Sequence, residues 1–107
     1  IIEEWAKKGA SAVLLYAART PADLALRQEI ETIARTAKVQ IHYVVSAATP
    51  GYETGFIDRE KIVRLIPDFY DREVFLCGPP PMMKAVVREL RLLGLRDEAV
   101  HFEKFSF

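Results

Sequence analysis

The chain has 107 residues, half of them hydrophobic, with 15 Lys plus Arg, 15 Asp plus Glu and a formal net charge of zero. A chain of this length buries enough surface for one core, so we expect one domain. Balanced charge excludes the basic excess typical of proteins that bind nucleic acid or anionic membranes. The longest apolar run, residues 12–18, is too short to cross a bilayer, and the first residues lack the basic, apolar and small-residue order of a signal peptide, so we expect neither a membrane span nor export.

Residues 1–9 have the pattern of the end of a helix, with Ile1 and Trp5 four positions apart and Gly9 as its stop. No capping residue precedes this pattern, and the first residue is not Met. We therefore expect residue 1 to lie inside a longer protein.

Strand patterns and helix patterns then alternate along the chain. The predicted strands are residues 12–18, 39–46, 74–77 and 99–103. The predicted helices begin at Pro21 after an N-cap Thr20, after the N-cap Asp58, and at about Pro81. Short crossovers of this kind require a parallel sheet covered on both faces, so the sequence predicts an open doubly wound α/β domain of the Rossmann-like type.

In such a sheet, ligands bind beyond the carboxyl ends of the strands. The candidate functional rim therefore comprises residues 18–20, 46–55, 77–81 and 103–107. The loop at 46–55 is the longest of the connections within this rim.

Cys77 is the only cysteine and stands at the end of a predicted buried strand, just before a helix. The thiol is well placed to touch a cofactor, and Gly78 would let a ligand approach the backbone. The alternative is that Cys77 is a small buried hydrophobic residue. A thiol-phosphatase loop would need Arg six residues after the cysteine, where Met83 stands. A lone cysteine also fits a reducing compartment, so we expect a cytoplasmic location.

The run Cys77-Gly78-Pro79-Pro80-Pro81-Met82 resembles the Cys-Gly-Pro signature, followed by Met, of the ferredoxin-reductase-like flavoproteins. The whole chain is similar to their C-terminal NAD(P)H-binding domain, in the form seen in flavohaemoglobins, oxygenase reductases and bacterial ferric-reductase-like proteins. The resemblance implies that hydride passes from NAD(P)H to FAD, which passes electrons to a haem, iron–sulfur or ferric acceptor.

The resemblance also implies roles for single residues. Cys77 would lie beside the nicotinamide C4, and Gly78 would allow close packing against the dinucleotide. Pro79 and Met82 belong to the same cofactor-binding signature. Glu103 and Phe105 match tail residues near the flavin ring, so Cys77 and Glu103 are the candidates at the reacting atoms.

Ser46 and Phe56 match positions around the adenosine ribose and adenine. Ala47 stands where NADP-specific members of the plant type often carry Arg, and this favours NADH. Arg19 at the neighbouring strand end could still meet a 2′-phosphate.

Two parts of the family pattern are expected upstream and are absent from this sequence. These are the first strand, with its Gly-rich Thr-Pro turn for the pyrophosphate, and the FAD-binding domain. Because the first strand is central in the family, we expect a gap in the sheet with two exposed edges, self-association of the fragment and no activity without flavin.

A non-catalytic flavodoxin-like binding or signalling module is the alternative, although Ala18, Ser46 and Cys77 stand where a receiver domain would carry acids. No metal site is predicted, since His42 has no second ligand at suitable spacing. The expected partners are the dinucleotide, the FAD domain and the electron acceptor, without nucleic acid. The cytosolic domain of a membrane reductase stays open as the location.

Overall fold

A computed structural model describes residues 12–25, 27–36 and 39–102. The strands of this part are β1 (Ala12–Ala18), β2 (Val39–Val45), β3 (Glu53–Thr54), β4 (Glu73–Cys77) and β5 (Val100–Phe102). Its α-helices are α1 (Arg27–Thr36), α2 (Arg59–Leu65) and α3 (Pro80–Leu92). Short 3₁₀ helices occupy Pro21–Asp23, Phe69–Asp71 and Asp97–Ala99. The predicted helix at 1–9, with Trp5, lies outside the described residues.

The strands form one sheet in the order β3-β2-β1-β4-β5, and each described pair is parallel. Each α-helix connects one parallel strand to the next, as the short crossovers required. The prediction of a doubly wound parallel α/β sheet is therefore confirmed. Among the described helices, none combines the length and the apolar character of a membrane span.

The expected gap in the middle of the sheet is wrong for the described residues. β1 pairs with β2 along its whole length and with β4 from Ala12↔Glu73 to Tyr16↔Cys77. All seven residues of β1 are buried. Unpaired N–H and C=O groups are costly inside a buried sheet, and direct pairing of β1 with β4 satisfies them. The outer strands are instead β3 and β5, with two and three residues.

Alternate residues of the strands face two separate cores. On one face, α2 and α3 cover the sheet, and the largest buried side chains there are Leu15, Leu76, Ile62, Ile66 and Leu90. On the other face, α1 covers the sheet, and the buried side chains include Leu14, Tyr16, Phe75, Cys77 and Ile30. The period of two along each strand places consecutive residues in opposite cores.

The helix predicted to begin at Pro21 begins later. Pro21–Asp23 forms a 3₁₀ turn, and the α-helix starts at Arg27. The Thr20 hydroxyl donates to the Asp23 carboxylate over 3.0 Å and does not accept a backbone N–H, so the expected cap is not formed. The spacing of Leu26, Ile30, Ile33, Ala34 and Ala37 predicts one apolar face for this helix, and Ile30 is buried. Leu26 and Ala37 of the same predicted face lie outside the described residues.

Two elements near the rim also differ from prediction. The turn-rich loop contains β3, which lies beside the end of β2 with Val45 opposite Thr54. The last strand begins at Val100, because Asp97–Ala99 forms a 3₁₀ turn before it. Glu103, the predicted end of that strand, lies outside the described residues.

Helices α2 and α3 agree closely with their predictions. The Asp58 side chain accepts a hydrogen bond of 2.8 Å from the Lys61 backbone N–H, so it is the N-cap of α2. α3 ends before Gly94, whose φ of +89° is the left-handed conformation that stops helices. Val86 and Leu90 face the core as predicted.

Candidate functional site

The ends of β1 and β2 are joined by backbone hydrogen bonds that continue past the strands. The Ser46 N–H donates to the Ala18 carbonyl and the Ala47 N–H to the Arg19 carbonyl, each over 3.0 Å. Arg19 and Ala47 are exposed, and Ser46 is half-buried. Two of the predicted cofactor residues, Arg19 and Ser46, are thereby held next to each other at the carboxyl edge of the sheet.

Cys77 ends β4 and is buried in the α1-side core, directly opposite Tyr16 of β1. The burial of Cys77 agrees with the interpretation that it is a small hydrophobic core residue. Its position at the end of a strand agrees with the interpretation that its thiol contacts a cofactor. The structure is therefore compatible with both interpretations.

Gly78 follows at the point where β4 leaves β1. A Cβ atom at Gly78 would lie 2.7 Å from the Ala17 carbonyl oxygen and 3.0 Å from the Met83 methyl carbon. The backbone φ of Gly78 is +156°. Close packing of the two strand ends thus requires glycine here, and the approach of a ligand at Gly78 stays a prediction.

Helix α3 begins with prolines that carry no N–H. Pro79 is its N-cap, and Pro80 and Pro81 are its first residues. The next two N–H groups, of Met82 and Met83, both donate to the Pro79 carbonyl, over 3.0 and 3.1 Å. The dipole of α3 therefore favours an anion near the N-terminus of the helix. No backbone N–H group of its first turn, however, is free to donate a hydrogen bond to that anion.

Phe56 and Met82 line one apolar crevice of about 30 Å³, together with Ile57, Ala85 and Val86. The Phe56 side chain is 79% exposed, although a benzyl group gains free energy from burial. The sequence assigned Phe56 and Met82 separately to a cofactor, and the fold brings them together beside the rim.

A polar and aromatic cluster on the α1 side was missed by the sequence analysis. It consists of Arg27, Glu31, Tyr43 and Tyr52, and we call it the Arg27 cluster. The Arg27 guanidinium lies 4.7 Å from the centre of the Tyr43 ring and donates to the Tyr52 hydroxyl over 2.6 Å. The spacing of Arg27 and Glu31 on a helix was the one signal that could have indicated it.

Charge states in the Arg27 cluster are set by its own hydrogen bonds. Arg27 Nε donates to Glu31 Oε1 over 3.0 Å, and the Tyr43 hydroxyl donates to the same oxygen over 3.0 Å. The bond from Arg27, followed by that from Tyr43, lowers the pKa of Glu31. Burial, followed by the bond to Glu31, raises the pKa of Tyr43 to about 12. Glu31 is therefore an anion and Tyr43 a neutral donor throughout the physiological range.

His42 lies in the middle of β2, and its Nε2 is buried without a hydrogen-bond partner among the described residues. Burial lowers the pKa of His42, since the charged imidazolium is disfavoured away from water. Within the described part of the chain, no three His, Cys, Asp or Glu side chains group as metal ligands.

Seven of the nine predicted site residues lie in the described part of the chain, at or next to the carboxyl edge of the sheet: Arg19, Ser46, Phe56, Cys77, Gly78, Pro79 and Met82. Glu103 and Phe105 lie outside the described residues. The assigned roles of all nine stay predictions.

The parallel sheet and its rim define a nucleotide-binding class of domain, and comparison with known proteins specifies the family. The chain belongs to the oxidoreductase NAD-binding domain family, whose profile matches residues 1–88. It is 45% identical over 76 residues to the NADH nitrate reductase of Ulva prolifera, covering 66% of this chain and 9% of that protein. It is 38% identical over 98 residues to NADH-cytochrome b5 reductase 1 of Lodderomyces elongisporus, covering 87% and 32%.

A solved structure with the same fold is the FAD/NAD-binding domain of nitric oxide dioxygenase from Vibrio cholerae. Its TM-score is 0.67 at 25% identity, covering 95% of this chain and 43% of that one. The chain spans about a third or less of the length of both curated relatives. Membership confirms the resemblance to NAD(P)H-binding domains of flavoprotein reductases and leaves the flavodoxin-like signalling alternative without support.

The described rim fits part of a nicotinamide dinucleotide. The exposed Phe56 ring offers a flat surface on which adenine could stack, and the edge at Gly78 carries no side chain. It does not supply the whole site, because the first turn of α3 has no free N–H for a phosphate. The donors for a phosphate must therefore come from residues other than the first turn of α3.

Proposed function

We propose that this chain is the nicotinamide-dinucleotide domain of an FAD-dependent reductase. The observation that carries the proposal is the family match over residues 1–88, on a doubly wound sheet where the seven described site residues lie at or next to one edge. When bound, the reduced nicotinamide supplies a hydride to the flavin, which delivers electrons to a haem, iron–sulfur or ferric acceptor. The protein binds and orients both groups.

The residues divide between the two halves of the dinucleotide. Cys77, Gly78 and Pro79 bound the nicotinamide half at the end of β4. Ser46 and Phe56 bind the adenosine half, and Met82 lines the same crevice as Phe56. For Glu103 and Phe105, the resemblance to the family's tail implies a role at the flavin.

The proposed function also includes an upstream part of the protein and a cellular location. An FAD-binding domain and a Gly-rich turn for the pyrophosphate precede residue 1 in the whole protein. That protein works in the cytoplasm or as the cytosolic part of a membrane reductase. Self-association of the isolated 107 residues stays a prediction, although the continuous sheet removes the gap on which it was based.

The test of this function is anaerobic rapid mixing of the complete protein, loaded with FAD, with NADH. We expect the flavin absorbance to bleach in a single saturable phase, because bound NADH transfers hydride within the complex. The control is the same protein mixed with dithionite, which reduces flavin without a dinucleotide site. Bleaching by dithionite but not by NADH or NADPH would overturn the proposal.

The choice between NADH and NADPH provides a separate prediction. Ala47 is exposed beside Ser46 and cannot pair with a 2′-phosphate, so the complete enzyme should have a higher kcat/KM for NADH. Both curated relatives described above carry NADH in their names. Ala47→Arg should shift the ratio of kcat/KM values toward NADPH by roughly 10- to 150-fold, because one charge-assisted pair is worth roughly 1.5–3 kcal/mol when formed.

The matched control for that change is Ala48→Arg, which adds the same charge one residue further along the exposed loop. Steady-state kinetics with both dinucleotides measures the ratio. A wild-type preference for NADPH that is lost in Arg19→Gln would assign recognition of the 2′-phosphate to Arg19.

A further inference from the structure

The loop at residues 46–55 connects β2 to α2 and carries part of the proposed adenosine site. Backbone hydrogen bonds hold its two ends against β1 and β2, at Ser46, Ala47 and Gly55. Its middle is held partly by its own contacts, with the Tyr52 N–H donating to the Thr49 carbonyl over 3.3 Å. Contacts of this local kind leave a loop free to move as a unit. The position of the middle of the loop therefore depends on the contacts that connect it to the rest of the domain.

Strand β3 pairs with the end of β2, and two consecutive side chains beside that pairing attach the loop to helices on opposite faces of the sheet. Glu53 accepts two hydrogen bonds from Arg64 of α2, of 2.6 and 2.7 Å. Tyr52 points to the other face and accepts a hydrogen bond from Arg27 at the start of α1. The alternation of side chains in extended backbone explains why neighbours reach different helices.

The Arg27 guanidinium is itself held from three sides. Its central carbon lies 4.7 Å from the centre of the Tyr43 ring and 5.7 Å from that of Tyr52, and Glu31 accepts a bond from its Nε. The flat cation is thus stacked and hydrogen-bonded at the same time, which a lysine ammonium cannot reproduce. The Arg27 cluster joins α1, β2 and the loop.

We infer that Arg27 is a positioning residue for the adenosine half of the dinucleotide, acting through Tyr52 on the loop that carries Ser46 and leads to Phe56. This inference rests on the function proposed above. Arg27 is half exposed, so its pairs add little to global stability. These pairs instead raise the fraction of molecules in which the loop has the conformation that binds the dinucleotide. The apparent affinity for the dinucleotide increases with that fraction.

Tyr52→Phe is the sharpest test, because it removes one hydroxyl and keeps the ring. In the complete enzyme, we expect KM for NADH to rise about three- to tenfold with kcat unchanged. Reduced nicotinamide mononucleotide lacks the adenosine half, so its second-order rate constant for flavin reduction should not change. Arg27→Lys should behave like Tyr52→Phe, since the charge remains and the stacked fork is lost.

Each control makes the same side-chain change as a test substitution, at an exposed residue outside the Arg27 cluster. Tyr70→Phe removes the hydroxyl of an exposed tyrosine on another part of the surface, and Arg88→Lys changes an exposed arginine of α3. Neither should alter KM. An unchanged KM for NADH in Tyr52→Phe, or an equal loss with the mononucleotide, would overturn the inference.

A readout independent of turnover separates this inference from the proposed function. Hydrogen exchange should speed up about three- to tenfold at amides of residues 47–52 in Tyr52→Phe, and not in Tyr70→Phe. Unchanged exchange in this loop would overturn the positioning role even if NADH reduces the flavin normally. Faster exchange in a protein that NADH cannot reduce would instead remove the proposed function.

Discussion

Cys77→Ala is expected to slow flavin reduction by NADH about 10- to 100-fold, which corresponds to roughly 1.4–2.8 kcal/mol in the barrier. The sulfur would pack against the nicotinamide and help set its distance from the flavin. Hydride transfer to a flavin needs no protein nucleophile, so the substitution removes positioning and leaves acid–base chemistry intact. The Kd for NADH should change much less than the rate.

Rapid-mixing kinetics of the wild type, Cys77→Ala and Cys77→Ser measures this effect. Cys77→Ser should lie between the other two, because serine is closer to cysteine in size. A rate constant that is unchanged in a folded Cys77→Ala protein would make Cys77 a core residue alone, in keeping with its burial opposite Tyr16. Complete loss of activity with a trapped covalent adduct would indicate nucleophilic catalysis and contradict the proposed function.

Gly78→Ala should have the largest effect on stability among single substitutions at the rim, about 2–4 kcal/mol. The new Cβ would lie 2.7 Å from the Ala17 carbonyl oxygen, which belongs to the backbone of the central strand and cannot rotate away. Separation of the ends of β1 and β4 would also displace Cys77. We therefore expect flavin reduction by NADH to fall together with stability.

Gly94→Ala is the matched control for that prediction. Gly94 also has a positive φ, of +89°, but its added Cβ would meet only a Tyr70 ring carbon at 3.6 Å. It should cost about 1–2 kcal/mol through backbone conformation alone. Equilibrium urea unfolding of the complete protein compares the two variants. Equal losses of stability would mean that the strand ends tolerate a side chain at Gly78.

Local sequence patterns were sufficient to predict most of the helices and strands. β1 and the last four residues of β4 were predicted from short apolar runs, and the start of α2 from Asp58. These features depend on residues within one turn or one strand, where propensity, capping and periodicity act directly. The start of α1 was wrong because Thr20 bonds the Asp23 side chain, an alternative that the same residues offer equally well.

The sequence by itself determined the class of the protein, because strands alternating with helices permit few sheets and because the run from Cys77 to Met82 resembles a signature of the family that the match over residues 1–88 then confirmed. The tertiary structure decided which strands are neighbours. The expected gap was replaced by direct pairing of β1 with β4, since buried backbone groups must find partners wherever the chain permits.

Tertiary structure alone also brought distant side chains together. Tyr52 is 25 residues from Arg27, and Met82 is still further from Phe56 in sequence, so no local pattern relates the members of either pair. Such contacts depend on the order and twist of the strands and on which face each helix covers. The residue types along the chain therefore led to predictions for the site, whereas the relative positions of its side chains arose only from packing.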